Sequence, residues 1–441
     1  MRAVRTFYSV ILYLMVPVAV LRLLWRGLRN RGYWRRWGER FGFVPVLRGA
    51  PPTAMDGGSA KNAGAAFPLI WIHAVSVGEV RAAQPLVRRL LESHPDHKLL
   101  ITTMTPTGSE QVVGLFGESV AHCYVPYDLP SAVARFLERT RPCLALIMET
   151  ELWPNIFHLC RARSIPVFVA NVRMSERSMR RYLKFKRLTA ATLQQVSMLA
   201  VQSATDAARL RALGAPDNAV RVTGSIKFEI NLPASLREVA EVLRDAWGRE
   251  RSIWIAASTH EGEEEQVLAA YEEIKSRVPS LLLVLVPRHP ERFASVARVC
   301  RRAGRRVVLH SERAPIDTAT DIVLGDSMGE LQVFIMASDV AFIGGSLVAT
   351  GGHNLLEAAA VGVPVVFGPY MHNFAEISQL TLEHGAGTQV RDTGELARAV
   401  IDYLERPDLR FRAGEAGKRM VAQNRGALNN TLALVNQFLV R

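Results

Sequence analysis

From residue 68 onward the chain alternates with a steady rhythm. Apolar runs at Leu69–His73, Leu99–Thr103, Cys143–Met148, Pro166–Asn171 and Met198–Gln202 are each followed by a stretch with helical spacing of its apolar positions. A second series runs through Ile253–Ser258, Leu281–Val286, Val307–Leu309, Asp321–Leu324, Asp339–Gly344 and Pro364–Gly368. Strands that are apolar throughout, rather than at every second position, are covered on both faces. Interleaved with helices, they predict parallel sheets of βαβ units. The expected fold class is therefore α/β, with two Rossmann-like, doubly wound domains. Such domains take ligands at the C-terminal ends of their strands, in a cleft where two of them face each other.

The pattern sets the boundaries. Residues 1–47 read as a membrane anchor with a basic juxtamembrane segment, and 48–67, rich in Pro, Ala and Gly, as a flexible linker. Residues 68–228 form the first domain, 229–249 a connection and 250–425 the second domain. A last helix, 426–441, is expected to pack back on the first domain.

The N-terminus breaks the rhythm. Thr6 to Leu21 holds no charge, which gives sixteen residues, or about twenty if Arg22 snorkels; roughly 20 are needed to span the hydrocarbon core. Arg26, Arg29, Arg31, Arg35 and Arg36 follow, interspersed with Trp25, Tyr33, Trp34 and Trp37. Arginine flanks mark the cytoplasmic side and Trp and Tyr favour the headgroup layer, so the expectation is a spanning or deeply embedded anchor with the domains on the cytoplasmic side. A purely interfacial helix and a buried core helix are the alternatives. A cleaved signal peptide is disfavoured, because densely basic sequence follows instead of a small-residue cleavage site.

Charge sharpens this reading. The net charge is +13, but the first 50 residues hold ten Arg and one Glu, so most of the excess sits there. That is a membrane-facing bias, not a nucleic-acid surface. A second basic cluster, Arg173, Arg177, Arg180, Arg181, Lys184, Lys186 and Arg187 against Glu176, is on charge alone a solvated helix face. The four cysteines lack any C-x-x-C spacing, which argues against a disulfide framework and for a reducing compartment. No metal-ligand cluster is evident.

Candidate chemistry gathers where predicted strands end. Glu79, in His73–Arg81, opens a helix after the first strand. There it is either an ordinary first-turn acid or a general base whose lowered pKa must be restored by desolvation or a neighbouring acid. Glu149 and Glu151 follow the strand Cys143–Met148, and Lys227 lies in Gly224–Phe228, where an ammonium can offset an anion. Pro287-Arg288 follows the most apolar strand and offers a forked donor. Met328-Gly329-Glu330 lies in a turn leading to a helix. Gly344-Gly345 through Gly351-Gly352-His353-Asn354-Leu355-Leu356-Glu357 combines close backbone approach, a helix start suited to phosphate and a carboxylate suited to ribose hydroxyls. No D-x-D, Walker A or dinucleotide fingerprint occurs.

Six of these pieces, in order, resemble the 3-deoxy-D-manno-octulosonic acid (Kdo) transferase family: HAVSVGE at His73–Glu79, ETELWPN at Glu149–Asn155, GSIKF at Gly224–Phe228, PRHPER at Pro287–Arg292, GGHNLLE at Gly351–Glu357 and GPYMH at Gly368–His372. The resemblance implies a GT-B architecture, with an acceptor-binding first domain and a CMP-sugar-binding second domain. It implies inverting, metal-independent transfer of Kdo from CMP-Kdo to lipid IVA, the lipid A precursor of lipopolysaccharide, at the inner membrane. CMP-Kdo is then a co-substrate, with no further cofactor, nucleic acid or obligate protein partner. The resemblance places Glu79 as general base and Glu149 and Lys227 as transition-state stabilisers. Pro287, Arg288, Met328, Gly329, Glu330, Asn354, Leu355, Leu356 and Glu357 fall around CMP. The stretch 48–67 is longer than the family pattern. A UDP-sugar transferase or epimerase, and a non-catalytic membrane-tethered scaffold, are the competing readings.

Overall fold

The computed structural model describes residues 2–47, 67–230 and 233–439; all but Phe67 of the expected linker 48–67 lies outside them. The chain divides into two compact units, 1–229 with 425–441, and 230–424.

The first unit is built on a parallel seven-stranded sheet: β1 (Leu69–His73), β2 (Lys98–Thr103), β3 (Ala121–Tyr124), β4 (Leu144–Met148), β5 (Val167–Val172), β6 (Met198–Val201) and β7 (Val220–Val222), in the order β3-β2-β1-β4-β5-β6-β7. The apolar runs are central strands. Every residue of β1, β4 and β5 is buried. Alternate side chains feed opposite layers: Leu69 and Trp71 join one core, Ile70 and Ile72 the other. The helix Ala427–Leu439 closes the second of these layers with Leu428, Leu432 and Val435. Its start is fixed by Glu229, whose Oε1 accepts the N–H of Gly426 at 2.7 Å.

The second unit repeats the plan with β8 (Ile253–Thr259), β9 (Leu282–Pro287), β10 (Val307–Leu309), β11 (Ile322–Leu324), β12 (Val340–Ile343), β13 (Val365–Phe367) and β14 (Gly387–Gln389), in the order β10-β11-β9-β8-β12-β13-β14. The stretch 229–249, expected as a connection, supplies the helix Ala234–Trp247, which belongs to this unit and packs on the helix Leu331–Met336.

In each sheet the strand order reverses next to the first strand, between β1 and β4 and between β8 and β12. At such a switch the flanking connections run to opposite faces and leave a crevice beyond the strand ends. Glu79 follows β1 and Glu149 follows β4; His260 follows β8 and Gly344 follows β12.

An N-terminal helix, Arg2–Arg29, carries a window long and apolar enough to fit a membrane anchor, with mean hydropathy 2.1.

Candidate active site

The first cluster is assembled at the switch of the first sheet. Ser76 caps the helix Val77–Ser93, its Oγ accepting from the Glu79 N–H. The Glu79 carboxylate turns back over the helix start. Its Oε2 accepts the Val75 N–H at 2.7 Å, and its Oε1 faces the Ser76 hydroxyl at 3.2 Å. Glu79 is thus both a capping residue and a perturbed acid. Burial pushes its pKa up from 4.5 to about 7, and the charges of Glu149 and Glu151 push the same way against the two hydrogen bonds. A carboxylate with that affinity can hold a proton near neutral pH, as a general base must. Burial also raises Glu151.

Glu149 stands in a left-handed conformation, φ +58°, and its carboxylate lies 3.8 Å from the Lys227 ammonium. The turn carrying Lys227 is seated by Asn171, at φ +57° and fully buried, whose Oδ1 accepts the Ile226 N–H at 3.2 Å. Left-handed non-glycine residues cost energy and persist where surrounding structure enforces them. Glu149, Asn171 and Ser258 (φ +58°) all lie at or next to strand C-terminal ends. His73, by contrast, is a core residue. Its Nδ1 pairs with the Thr102 hydroxyl at 2.9 Å, and burial lowers its pKa to about 4, so it is neutral.

The second cluster occupies the switch of the second sheet. Gly344 passes so close to β8 that a Cβ would lie 2.6 Å from the Ser258 carbonyl oxygen. The turn after it holds an anion, but an internal one. The fully buried Glu263 carboxylate accepts the N–H groups of Gly345 (2.6 Å), Ser346 (3.0 Å) and Leu347 (2.9 Å), and also that of His260 (2.9 Å). The backbone donors of Gly345–Leu347 are therefore engaged by the protein itself. The later part of the glycine run, at Gly351 (φ +104°) and Gly352 (φ +73°), lies against His372 and Met371.

Asn354 and Glu357 are brought together. The Asn354 amide donates to Glu357 Oε1 at 3.3 Å, while Asn354 Oδ1 accepts the Leu356 N–H. Leu355 and Leu356 are fully buried, so they can offer a ligand only main-chain groups. Pro287 ends β9, and the Arg288 N–H bonds the Thr259 carbonyl. Arg292 of the same motif is taken up structurally, gripping the buried Glu264 with two hydrogen bonds of 2.8 Å. The Met328-Gly329-Glu330 turn follows β11, the sheet neighbour of β9, and so opens on the same edge as Pro287-Arg288. Glu330 lies 3.4 Å from His310, and Met328 is exposed.

Sequence reasoning missed His260 and Glu263, and gave His353 no role beyond its place at the helix start. His260 and His353 meet with Nε2 atoms 2.8 Å apart and rings nearly parallel, and His289 packs edge-on to His260. Burial lowers the His260 pKa; Glu263 opposes, and His289, Arg292 and Arg288 add to the lowering. Two Nε2 atoms 2.8 Å apart share one N–H, and an anion bound beside them would favour a second proton on the pair. Glu263 was hidden for another reason. Glu261–Glu265 reads as a solvated acidic run, yet Glu263 and Glu264 are buried. The available signal was their position directly after an apolar strand. Among the described residues no group of three or more His, Cys, Asp or Glu is placed to hold a metal ion.

Two doubly wound domains, each with polar residues massed at its strand-order switch, are the GT-B architecture. The same fold occurs in UDP-N-acetylglucosamine 2-epimerase from Neisseria meningitidis, with TM-score 0.55 over 85% of this chain and 99% of that one at 14% identity. Residues 35–230 match the family described as 3-deoxy-D-manno-octulosonic-acid transferase, and residues 256–420 match glycosyl transferases group 1. The chain is 40% identical to 3-deoxy-D-manno-octulosonic acid transferase of Haemophilus influenzae and 34% identical to that of Bordetella pertussis, in each case over 99% of both chains. It belongs to the 3-deoxy-D-manno-octulosonic acid transferase family and is a glycosyltransferase.

Proposed function

We propose that the protein transfers Kdo from CMP-Kdo to lipid IVA in lipopolysaccharide synthesis, with inversion and without a metal ion, at the cytoplasmic face of the inner membrane. The observation that carries the mechanism is Glu79, a carboxylate with its pKa raised to about 7 beside the Glu149–Lys227 pair. In this reading the ionised Glu79 takes the proton of an acceptor hydroxyl as its oxygen bonds to the anomeric carbon of Kdo. The bond from that carbon to the phosphate oxygen breaks on the opposite face, and CMP leaves with the electron pair. Lys227 offsets the sugar carboxylate and Glu149 the positive charge that develops on the ring. Both are preset by backbone geometry rather than by the substrate, Glu149 through its own left-handed residue and Lys227 through Asn171.

The donor is assigned to the second unit, with Arg288 at the phosphate, Glu357 and Asn354 at the ribose, and the Pro287-Arg288 and Met328–Glu330 main chain around the base. A nucleoside monophosphate leaving group needs no clamp for a diphosphate, which fits a chain without D-x-D. The first unit, with its anchor helix and basic cluster, takes the amphiphilic acceptor. The test is transfer in vitro from CMP-Kdo to lipid IVA, with product masses read directly and UDP-sugars as competitors. Product gained from CMP-Kdo supports the reading; turnover with a UDP-sugar alone sinks it.

A further inference from the structure

The helix Arg2–Arg29 has two different faces along its whole length. Ser9, Leu12, Val16, Leu23 and Gly27 are buried or half-buried, whereas Phe7, Val10, Leu14, Val18, Leu21 and Leu28 are exposed. Both sets recur at three- and four-residue spacing, so each is a stripe along one side of the helix. The inner stripe is covered by the protein's own first unit: the helices Pro154–Ala162 and Lys186–Leu193, and the turn Arg31–Trp34. Polar ties fix it. The Tyr8 hydroxyl donates to Asp128 Oδ2 (3.1 Å), the Ser9 hydroxyl to Asn155 Oδ1 (3.1 Å) and the Tyr13 hydroxyl to Ser131 Oγ (2.8 Å). Near the other end the Trp34 indole N–H donates to the Leu24 carbonyl at 3.2 Å, and its ring fills the space a side chain at Gly27 would take.

Tyr8, Ser9 and Tyr13 tie the first half to the unit, and the other end runs through the turn Arg31–Trp34 to Arg36, whose guanidinium donates to the His122 carbonyl at 2.8 Å; Tyr8 and Leu24 are separated by an axial rise of about 24 Å. A helix crossing the bilayer must place its ends on opposite sides of a hydrocarbon layer about 30 Å thick. This helix cannot do so while both ends are fastened to one folded unit. Pulling Tyr8 and Ser9 away would strip one partner from Asn155 and one from Asp128, which is buried and holds the start of the helix Pro154–Ala162 through the Asn155 and Ile156 N–H groups at 3.0 and 2.7 Å. We infer that the N-terminal helix is an in-plane anchor: its outer stripe lies in the interfacial layer of an anionic bilayer leaflet while its inner stripe stays on the domain.

Charge selects that occupant. Arg22, Arg31 and Arg35 are exposed beside the stripe. The neighbouring helix Lys186–Leu193 is preceded by exposed Leu183, Lys184 and Phe185, the last 68% exposed. Apolar side chains at acyl depth among cations at headgroup depth are the pattern of a helix lying on anionic lipid.

Single cysteines at Ala3 and at Lys186, in a background whose four native cysteines are replaced, decide the topology when a membrane-impermeant thiol reagent is applied to spheroplasts and to inverted vesicles. The expected result is that Ala3→Cys and Lys186→Cys label from the same side. Labelling from opposite sides means the helix crosses, and overturns the inference. The comparison does not depend on which side that is, so an error in the cytoplasmic assignment shows separately, as both positions reacting in spheroplasts. Leu14→Glu combined with Leu21→Glu, on the outer stripe only, should move the protein from the membrane pellet to the supernatant with its folded circular dichroism intact. If the wild-type chain is itself soluble and dimeric, with the stripe covered by a second copy, the lipid assignment fails.

Discussion

The exchange Glu79→Gln should make the protein more stable and nearly inactive, with both effects set by one number. The folded state raises this carboxyl from 4.5 to about 7. For an acid with a raised pKa, the folded protein holds the proton more tightly than the unfolded chain. Stability is therefore greatest below the unfolded value and declines as pH rises to about 7, after which the penalty is constant. A displacement of roughly 2.5 units corresponds to about 3 kcal/mol at pH 8. Glutamine carries no charge to desolvate, and its amide oxygen can still accept the Val75 N–H. Weakening that bond and the Ser76 contact forfeits about 1 kcal/mol, which leaves a net gain of about 2 kcal/mol. Urea unfolding at pH 8 and pH 5 measures it: the gain should be present at pH 8 and absent at pH 5. Turnover should fall at least about a hundredfold.

In the wild type, log kcat/KM should rise with unit slope up to about pH 7 and then level. Phosphates on the substrates also titrate in that range, so Glu151→Gln provides the control. Removing one of the two acids that raise Glu79 should move the apparent pKa of the reaction downward, whereas an ionisation belonging to substrate would stay put. An Glu79→Gln protein that is less stable at pH 8, or a profile unmoved by Glu151→Gln, would refute the reasoning.

Glu263→Gln should cost about 3–5 kcal/mol in urea unfolding, because one amide oxygen cannot replace a buried carboxylate accepting four N–H groups. Arg292→Ala should cost a similar amount by leaving Glu264 buried without its partner, and transfer by the surviving folded protein should change little. Calorimetric titration of His353→Asn should show CMP binding weakened about tenfold with cytidine binding unchanged; equal losses for both ligands would place the histidine at the base or in the fold. Prolonged treatment with EDTA should leave the transfer rate unaltered.

What could be read in advance was whatever the chain writes as contiguous pattern. The central strands are apolar at every position because helices cover both faces, and so Leu69–His73 and Leu281–Val286 stand out. Edge strands have a ladder on one side only: Ala121–Tyr124 and Gly387–Gln389 carry no such run and went unread, whereas Val307–Leu309, also at an edge, keeps one and was read. Glu79 and Glu149 were legible because an acid directly after an apolar strand is conspicuous. Glu263 stands in the same kind of place but is camouflaged by Glu261 and Glu265. Asn171 was invisible for a different reason, since its role depends on a left-handed backbone and on a turn 55 residues away in sequence. The alternative that Glu79 merely caps its helix and the alternative that it is a perturbed acid proved compatible, because the cap uses the same carboxylate that burial perturbs.

The first unit is completed by residues after 424, so the second is in effect an insertion within it. On a ribosome, this means the first sheet emerges early and waits, one layer uncovered, until the whole second unit has been made. Ile70, Ile72 and Phe168 lie in that layer, and Phe438, its ring 6.1 Å from Phe168, arrives only after the second unit. A chain broken off shortly before residue 427 would carry every residue assigned to chemistry and still present a bare hydrophobic face to chaperones and proteases. Nonsense changes just before codon 427 should therefore behave like early ones, lowering protein abundance rather than specific activity.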